Sequence, residues 1–220
     1  MRPRQPRNVA IPQFPYYLFD IDGTLLDSAV DICSAIRQVL IPYVHEPPPL
    51  RSLTRFVGYH LDLCFQEAVP HFDRQQLDDL IALYRTTYLA RGHASTTPYA
   101  GALEGVQHLK GLKGTATTKG TPTTRAILEQ FGFLPSFDHI QGTDGFPCKP
   151  EPDVVIRALQ ALGGSPDECL FVGDSAADME AGRRAGVKIC AVTYGYGNHA
   201  DMARWSPDYW ISDIRELSRT

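Results

Sequence analysis

Phe19-Asp20-Ile21-Asp22-Gly23-Thr24-Leu25-Leu26 is the stretch on which the fold turns. It continues the apolar run Tyr16-Tyr17-Leu18-Phe19, which has the length and composition of a short buried strand. Asp20 and Asp22 therefore fall where a strand ends and a loop begins. That edge is where open α/β sheets place their ligands. Gly23 and Thr24 suit a tight turn whose backbone N–H groups face an anion. Folding alone gives no reason for two acids at such a point, because buried like charges repel. A bound cation and a phosphoryl group would compensate them; the alternative is a turn that happens to carry two aspartates.

Downstream of this stretch, Asp27-Ser28 is a good helix start, and Val30, Cys33, Ile36, Val39 and Leu40 follow at helical spacing across Ala29–Leu40. Pro47-Pro48-Pro49 breaks the chain. Helices are expected over Leu50–Phe56, Leu61–Ala68 and Gln75–Arg91, with no strand between Asp27 and Thr97. Residues 28–97 thus read as an all-helical insertion between a first strand and the next α/β unit. After Pro98-Tyr99-Ala100-Gly101 the pattern alternates. Helices are expected over Leu103–Leu112, Thr123–Phe131, Asp153–Leu162 and Ala177–Ala185. Strands are expected over Thr115–Thr117, Phe137–Gln141, Cys169–Val172, Val187–Val192 and Tyr209–Ile211, and a last helical turn over Ile214–Ser218. Alternation of this kind implies a parallel sheet. Residues 16–27 and 98–220 then form the core, and the Arg- and Pro-bearing residues 1–15 a disordered start.

Three later features join the opening acids. Gly173-Asp174-Ser175-Ala176-Ala177-Asp178 again follows a buried strand, and its two acids are four residues apart, the spacing of one helix face. Mg²⁺ favours a few carboxylate oxygens with waters and phosphate oxygens. Asp20, the carbonyl of Asp22 and Asp174 can supply that set, with Asp178 holding a water. Thr117-Thr118-Lys119 offers a hydroxyl and nearby N–H groups to a phosphoryl oxygen. Lys149, held between Cys148 and Pro150 near a helix start, can offset the acids and hold a transferring phosphoryl group. All of these positions project to one sheet edge. The chemistry that follows is nucleophilic attack on phosphorus by Asp20, proton transfer by Asp22, and stabilisation of the equatorial oxygens by Thr117 and Lys149 beside Mg²⁺.

Composition narrows the class. The chain has 220 residues, 43% hydrophobic and 21% charged, enough for a globule with a sizeable core. A net charge of −4 gives no reason to expect nucleic acid or a membrane surface as partner. No apolar run reaches the length of a membrane span. The five cysteines contain no CxxC pair and read as buried thiols of a reducing compartment.

These residues, in this order, resemble the haloacid dehalogenase-like superfamily: Asp20-Ile21-Asp22-Gly23-Thr24, Thr117, Lys149-Pro150, and Gly173-Asp174 with Asp178. The resemblance implies an α/β, Rossmann-like parallel sheet with helices on both faces and a small helical cap inserted after the first strand. It implies Asp20 as nucleophile, Asp22 as acid/base, Thr117 and Lys149 on the phosphoryl group with Gly23 and Thr118, and Asp20, Asp22, Asp174 and Asp178 around Mg²⁺. Leu25-Leu26-Asp27-Ser28, Pro98-Tyr99-x-Gly101 and Tyr194-Gly195-Tyr196-Gly197 look most like the phosphoglycolate phosphatase branch. The expectation is a cytoplasmic phosphomonoester hydrolase, monomeric or homodimeric, acting on a small phosphorylated metabolite. The same core leaves a sugar-phosphate mutase, a pyrophosphatase or a non-catalytic phosphate-binding module as alternatives. Asp22 argues against a true dehalogenase, and the lack of lysine from Asp27 to Thr97 argues against Schiff-base phosphonate cleavage. Arg55 and His60, by the loop Val57-Gly58-Tyr59-His60, are expected to read the anionic end of the substrate.

Overall fold

The computed structural model describes residues 11–218. In chain order its elements begin with β1 (Tyr16–Phe19), β2 (Leu26–Asp27), α1 (Ala29–Leu40), α2 (Leu50–Leu53), α3 (Leu61–Ala68) and α4 (Arg74–Ala90). Then come β3 (Thr97–Pro98), α5 (Ala102–His108), β4 (Leu112–Thr115), α6 (Thr121–Gln130) and α7 (Asp153–Ala161). Last are β5 (Cys169–Gly173), α8 (Ala176–Ala185), β6 (Lys188–Val192), α9 (His199–Ala203) and β7 (Tyr209–Ile211). Five strands form one parallel sheet in the order β4-β1-β5-β6-β7.

Strands buried on both faces need no polar alternation, and Tyr17, Leu18 and Phe19 are all fully buried. Their side chains still alternate. Tyr17, Phe19, Leu170, Val172 and Val192 join Ala102, Val106, Ile127 and Leu128 of α5 and α6 in one apolar cluster. Leu18, Phe171, Ile189 and Ala191 join Val154, Val155, Ala158 and Met179 of α7 and α8 in another. The sheet is thus the middle layer of three.

The helices between β2 and β3 bury their apolar stripes in a separate cluster. Ile32, Ile36, Val39 and Leu40 of α1 meet Cys64 and Phe65 of α3 and Leu77, Leu80, Ile81, Tyr84 and Tyr88 of α4. The α4 set recurs at three- and four-residue spacing, as one helix face requires. A reciprocal capping box, Asp73 with Gln76, fixes the start of α4 and stabilises it by about 1 kcal/mol. No helix of the described residues is long and apolar enough to cross a membrane.

Register places the site. Phe19 lies opposite Thr115 on one side and Val172 on the other. Asp20 N–H donates to Val172 O at 3.0 Å, and Ala116 N–H donates to Phe19 O at 2.8 Å. The residues just beyond these three strands therefore leave the sheet side by side.

Several local expectations are corrected. The strand expected over Thr115–Thr117 is β4, Leu112–Thr115, so Thr117 lies past the sheet edge. The helix expected to reach Leu112 stops at His108, and Leu112 opens β4. Gly111 between them packs against the carbonyls of Phe14 and Pro15, where a Cβ would come within 2.4 Å. Phe137–Gln141 is no strand but a single bridge, Gly114 with His139. There the Thr115 hydroxyl replaces the ladder, donating to Gln141 O at 2.9 Å and accepting from Gln141 N at 2.8 Å. The two-residue ribbon of β2 with β3 was not expected, nor was α9. Of the expected disordered start, residues 1–10 lie outside the described residues. Residues 11–15 are tied down: Phe14 is buried in the core and its N–H donates to the Tyr17 hydroxyl at 2.9 Å.

Candidate active site

The site begins with Asp20, one residue past β1 and only 1% exposed. Lys149 Nζ lies 2.8 Å from Asp20 Oδ1, and Asp20 Oδ2 has no hydrogen-bond partner among the described residues. An unpartnered oxygen on a buried carboxylate is costly unless something is meant to bind it. Burial, opposed by Lys149 and helped by the charges of Asp178 and Asp22, leaves the Asp20 carboxyl raised to about 6.

Asp174 leaves β5 beside it and is held by the Tyr196 N–H, which donates to Asp174 Oδ2 at 2.8 Å. Burial, then the charges of Asp178 and Asp20, push Asp174 well above the usual carboxylate range. Gly23 has φ of +91° and sits against this side chain; a Cβ there would lie 2.2 Å from Asp174 Oδ2. Only glycine allows both the left-handed backbone and the close approach.

Asp178 enters from the first turn of α8. The expectation that Asp174 and Asp178 share a helix face is corrected, because Ser175 is the N-cap and Asp174 precedes the helix. Asp178 Oδ2 instead accepts from the Ser175 N–H at 2.9 Å and hydroxyl at 2.6 Å, while Oδ1 lies 2.5 Å from Lys149 Nζ. Both its oxygens are thus occupied by protein donors. Asp20, Asp174 and Asp178 offer oxygens all within 4.8 Å of one another, each from a buried side chain. Lys149 is itself 1% exposed. Burial opposes its charge, but Asp178 and then Asp20 outweigh it and hold the ammonium above the usual lysine range.

Asp22 faces the other way, 6% exposed. Its Oδ1 accepts from the Ser28 hydroxyl at 2.6 Å, and its Oδ2 lies 3.2 Å from Lys119 Nζ. Lys119 also donates to the Tyr88 hydroxyl of α4 at 3.1 Å. Burial opposes the Lys119 charge, and Asp22 and Tyr88 restore it, holding that ammonium too above its ordinary value. Thr117 is buried just past β4, and its hydroxyl accepts from Lys119 N at 3.4 Å. The Thr118 hydroxyl donates to Gly58 O at 2.9 Å, so it is committed to the helical segment.

A cavity of about 500 Å³ opens beside these groups, between the helical segment and the sheet edge. Asp22, Thr117 and Lys119 line one wall; Tyr59, His60, Tyr84, Arg85 and Tyr88 line the other. Arg55 does not line it: its exposed side chain pairs with Glu67 and covers the Phe56 ring. His60 does line it while capping α3, its Nδ1 accepting from Asp62 N at 3.3 Å.

Two cavity residues were not singled out from the sequence. Lys119 stood next to Thr117-Thr118, where a lone lysine beside a strand end gives the only signal. Arg85, four residues past Ile81 and three before Tyr88, borders the apolar face of α4, and nothing in one sequence separates it from a solvated arginine.

A model of haloacid dehalogenase-like hydrolases matches residues 17–192. Curated relatives include a phosphoglycolate phosphatase of Aquifex aeolicus, 33% identical over 91% of this chain and 93% of that protein. A phosphoglycolate phosphatase of Pseudomonas putida is 31% identical over 91% of this chain and 77% of that protein. Among solved structures, one described as a predicted phosphatase from Clostridium acetobutylicum aligns with a TM-score of 0.86 at 30% identity, covering 94% of this chain and 97% of that one. A haloacid dehalogenase-like hydrolase from Streptococcus pneumoniae aligns with a TM-score of 0.83 at 26% identity, covering 93% and 96%.

Proposed function

The chain belongs to the haloacid dehalogenase-like hydrolase family, in its phosphoglycolate phosphatase-like branch, and from that premise we propose that it is a Mg²⁺-dependent phosphomonoesterase working through an aspartyl phosphate on Asp20. Its activity is that of a phosphatase. The observation that carries the finer reading is the unpartnered Oδ2 of buried Asp20 beside Lys149 and Asp174.

A divalent cation fits the residues present. Of three buried carboxylates, Asp20 and Asp178 share the Lys149 ammonium and Asp174 has no ion pair among the described residues, leaving uncompensated negative charge. Their oxygens are the hard donors that Mg²⁺ selects. Asp20, Asp174 and the Asp22 carbonyl would hold it. Asp178, occupied on both oxygens, supports the site through Lys149 and Ser175. When bound, Mg²⁺ supplies positive charge that offsets charge on the phosphoryl oxygens.

The residues divide the work. Asp20 Oδ2 attacks phosphorus, forming the acyl phosphate as the ester P–O bond breaks. Asp22 gives a proton to the leaving alkoxide. Asp22 then takes a proton from the water that attacks the acyl phosphate, returning Asp20 and releasing inorganic phosphate. Lys149 and the Thr117 hydroxyl hold the equatorial oxygens; the expected Gly23 N–H does not, because it donates to Leu26 O at 2.9 Å. Ser28 and Lys119 fix the Asp22 carboxylate for its two proton transfers.

Residues 28–97 serve as a cap that closes the cavity and excludes water during the first transfer. The substrate is a small phosphorylated metabolite with a second anion, as in 2-phosphoglycolate. His60 and Arg85, both on the cavity wall, meet that anion. Phosphate release from purified protein, measured across a panel that includes 2-phosphoglycolate and an aryl phosphate, with and without Mg²⁺, tests the reading. Turnover that needs Mg²⁺ and favours the anionic substrate is expected. Equal turnover in a chelator overturns the metal assignment, and no turnover with any ester overturns the reading itself.

A further inference from the structure

We propose that Tyr196 is a positioning residue: it fastens the crossing from the sheet to the helical segment onto the loop that orients Asp174. The inference rests on the reading of residues 28–97 as a closing cap.

The backbone of Tyr196 belongs to the loop after β6, and its N–H donates to Asp174 Oδ2 at 2.8 Å. Its hydroxyl reaches the other side of the molecule. There it donates to Asp27 Oδ1 at 2.7 Å and accepts from the N–H groups of Ser28 at 2.7 Å and Ala29 at 3.0 Å. The Tyr99 side chain hydrogen-bonds the same hydroxyl, so the phenol is fully engaged. Its ring packs against the apolar cluster of the helical segment.

The start of α1 shows why this matters. Ser28 holds the N-cap position, yet its side chain caps nothing. Its hydroxyl donates to Asp22 instead. The first N–H groups of a helix have no partner inside it, and Tyr196 takes that of Ala29, the first residue of α1. One short chain of contacts therefore runs from Asp174 through Tyr196 and Ser28 to Asp22.

The loop is built for this reach. A Cβ at Gly195 would lie 2.3 Å from Asp174 Cβ, and one at Gly197 would lie 2.0 Å from Asp174 O. With glycine at both places, the loop presses on Asp174 and Tyr196 has little freedom. Any swing of residues 28–97 about Asp27–Ala29 must break the phenol's bonds or carry Tyr196, and with it the donor to Asp174.

Tyr196→Phe tests this, since it deletes the hydroxyl and keeps the backbone donor to Asp174. Hydrogen exchange at the amides of Ser28 and Ala29 should quicken about tenfold, the scale of one lost hydrogen bond. Exchange in the central strands should not change. With 2-phosphoglycolate, kcat should fall about tenfold while KM stays within about twofold, the split expected when closure rather than binding is impaired. Asp27→Ala should raise the same two amide rates, and adding it to Y196F should give no further rise. Unchanged exchange at Ser28 and Ala29, additive effects of the two substitutions, or faster exchange spread through the sheet would each overturn the proposal. Should Y196F fail to fold, D27A alone carries the exchange test. The exchange arm needs no turnover, so a failure of the phosphatase reading would appear separately, as inactive wild-type protein.

Discussion

Lys149 Nζ lies 2.5 Å from Asp178 Oδ1, with both side chains inaccessible to solvent. The same ammonium reaches Asp20, so one cation stands between two buried carboxylates. Removing it leaves Asp20 and Asp178 with no ion-pair partner among the described residues. Lys149→Met should lower stability by about 3–5 kcal/mol, the usual cost of breaking a buried pair from one side. Urea unfolding without added metal measures it. A loss below about 1 kcal/mol would mean that water or another group already compensates these acids. Turnover should fall at least 100-fold, because a transition-state donor is lost as well.

Lys119→Met should act on chemistry more than on folding. Lys119 touches Asp22 and the Tyr88 hydroxyl, so it joins the proton-transfer residue to α4. With only Ser28 left to hold Asp22, kcat/KM should fall about 10- to 100-fold, within the range of general acid–base catalysis. Steady-state kinetics with an aryl phosphate, whose leaving group depends least on a proton donor, should show a smaller loss than with an alkyl ester. Equal losses for both would detach Lys119 from proton transfer.

Arg85 lines the cavity and makes no hydrogen bond or salt bridge among the described residues, while Arg55 is engaged with Glu67 outside it. Arg85→Ala should raise KM for a carboxylate-bearing phosphate about tenfold, as loss of one charge-assisted contact implies. An aryl phosphate that carries no second anion should be unaffected, and Arg55→Ala should be close to silent with both. The reverse pattern for the two arginines would move the anion subsite to the exposed loop.

His93 supplies a pH-dependent term in stability. It is buried against Tyr88, its Nδ1 has no hydrogen-bond partner among the described residues, and burial, then Lys119, push its pKa below the ordinary histidine value. Because the folded value is the lower one, the unfolded chain takes the proton first as pH falls through about 6.5. Stability should therefore decrease from about pH 7 towards pH 5 and level off once the folded state is protonated too. His93→Asn suits the left-handed backbone there (φ of +56°) and should flatten that part of the profile. An unchanged slope in thermal melts would assign it to other groups.

The parallel α/β architecture was legible because its strands are continuous apolar runs ending in acid or glycine. Tyr16–Phe19 and Cys169–Val172 are unambiguous for that reason. The helical segment was legible through amphipathic spacing, as in α1 and α3. What escaped had no period to read. The β2–β3 ribbon is two residues a side, and β4 stops at Thr115, whose hydroxyl bonds the Gln141 backbone. At the site, Asp20, Asp174, Asp178 and Lys149 come together; strand-end placement pointed to Asp20 and Asp174, while Asp178 comes from α8 and Lys149 from a loop that follows no strand. The partners of Asp22 were not legible, since Lys119 and Ser28 owe their contacts to loop geometry. Arg55 is near the loop at Val57–His60 in sequence, but it lies in a 3₁₀ turn, Thr54–Phe56, and chain proximity does not tell which way such a turn points its side chains.

Covalent trapping on Asp20 tests the central claim most directly. The enzyme is mixed with an aryl phosphate and Mg²⁺, quenched in acid during turnover, digested, and the peptide containing Asp20 weighed. A phosphoryl group on Asp20 in the wild type, absent from Asp20→Asn together with turnover, is the expected result. A phosphoryl group on another residue, or near-normal turnover by the Asn variant, would contradict it.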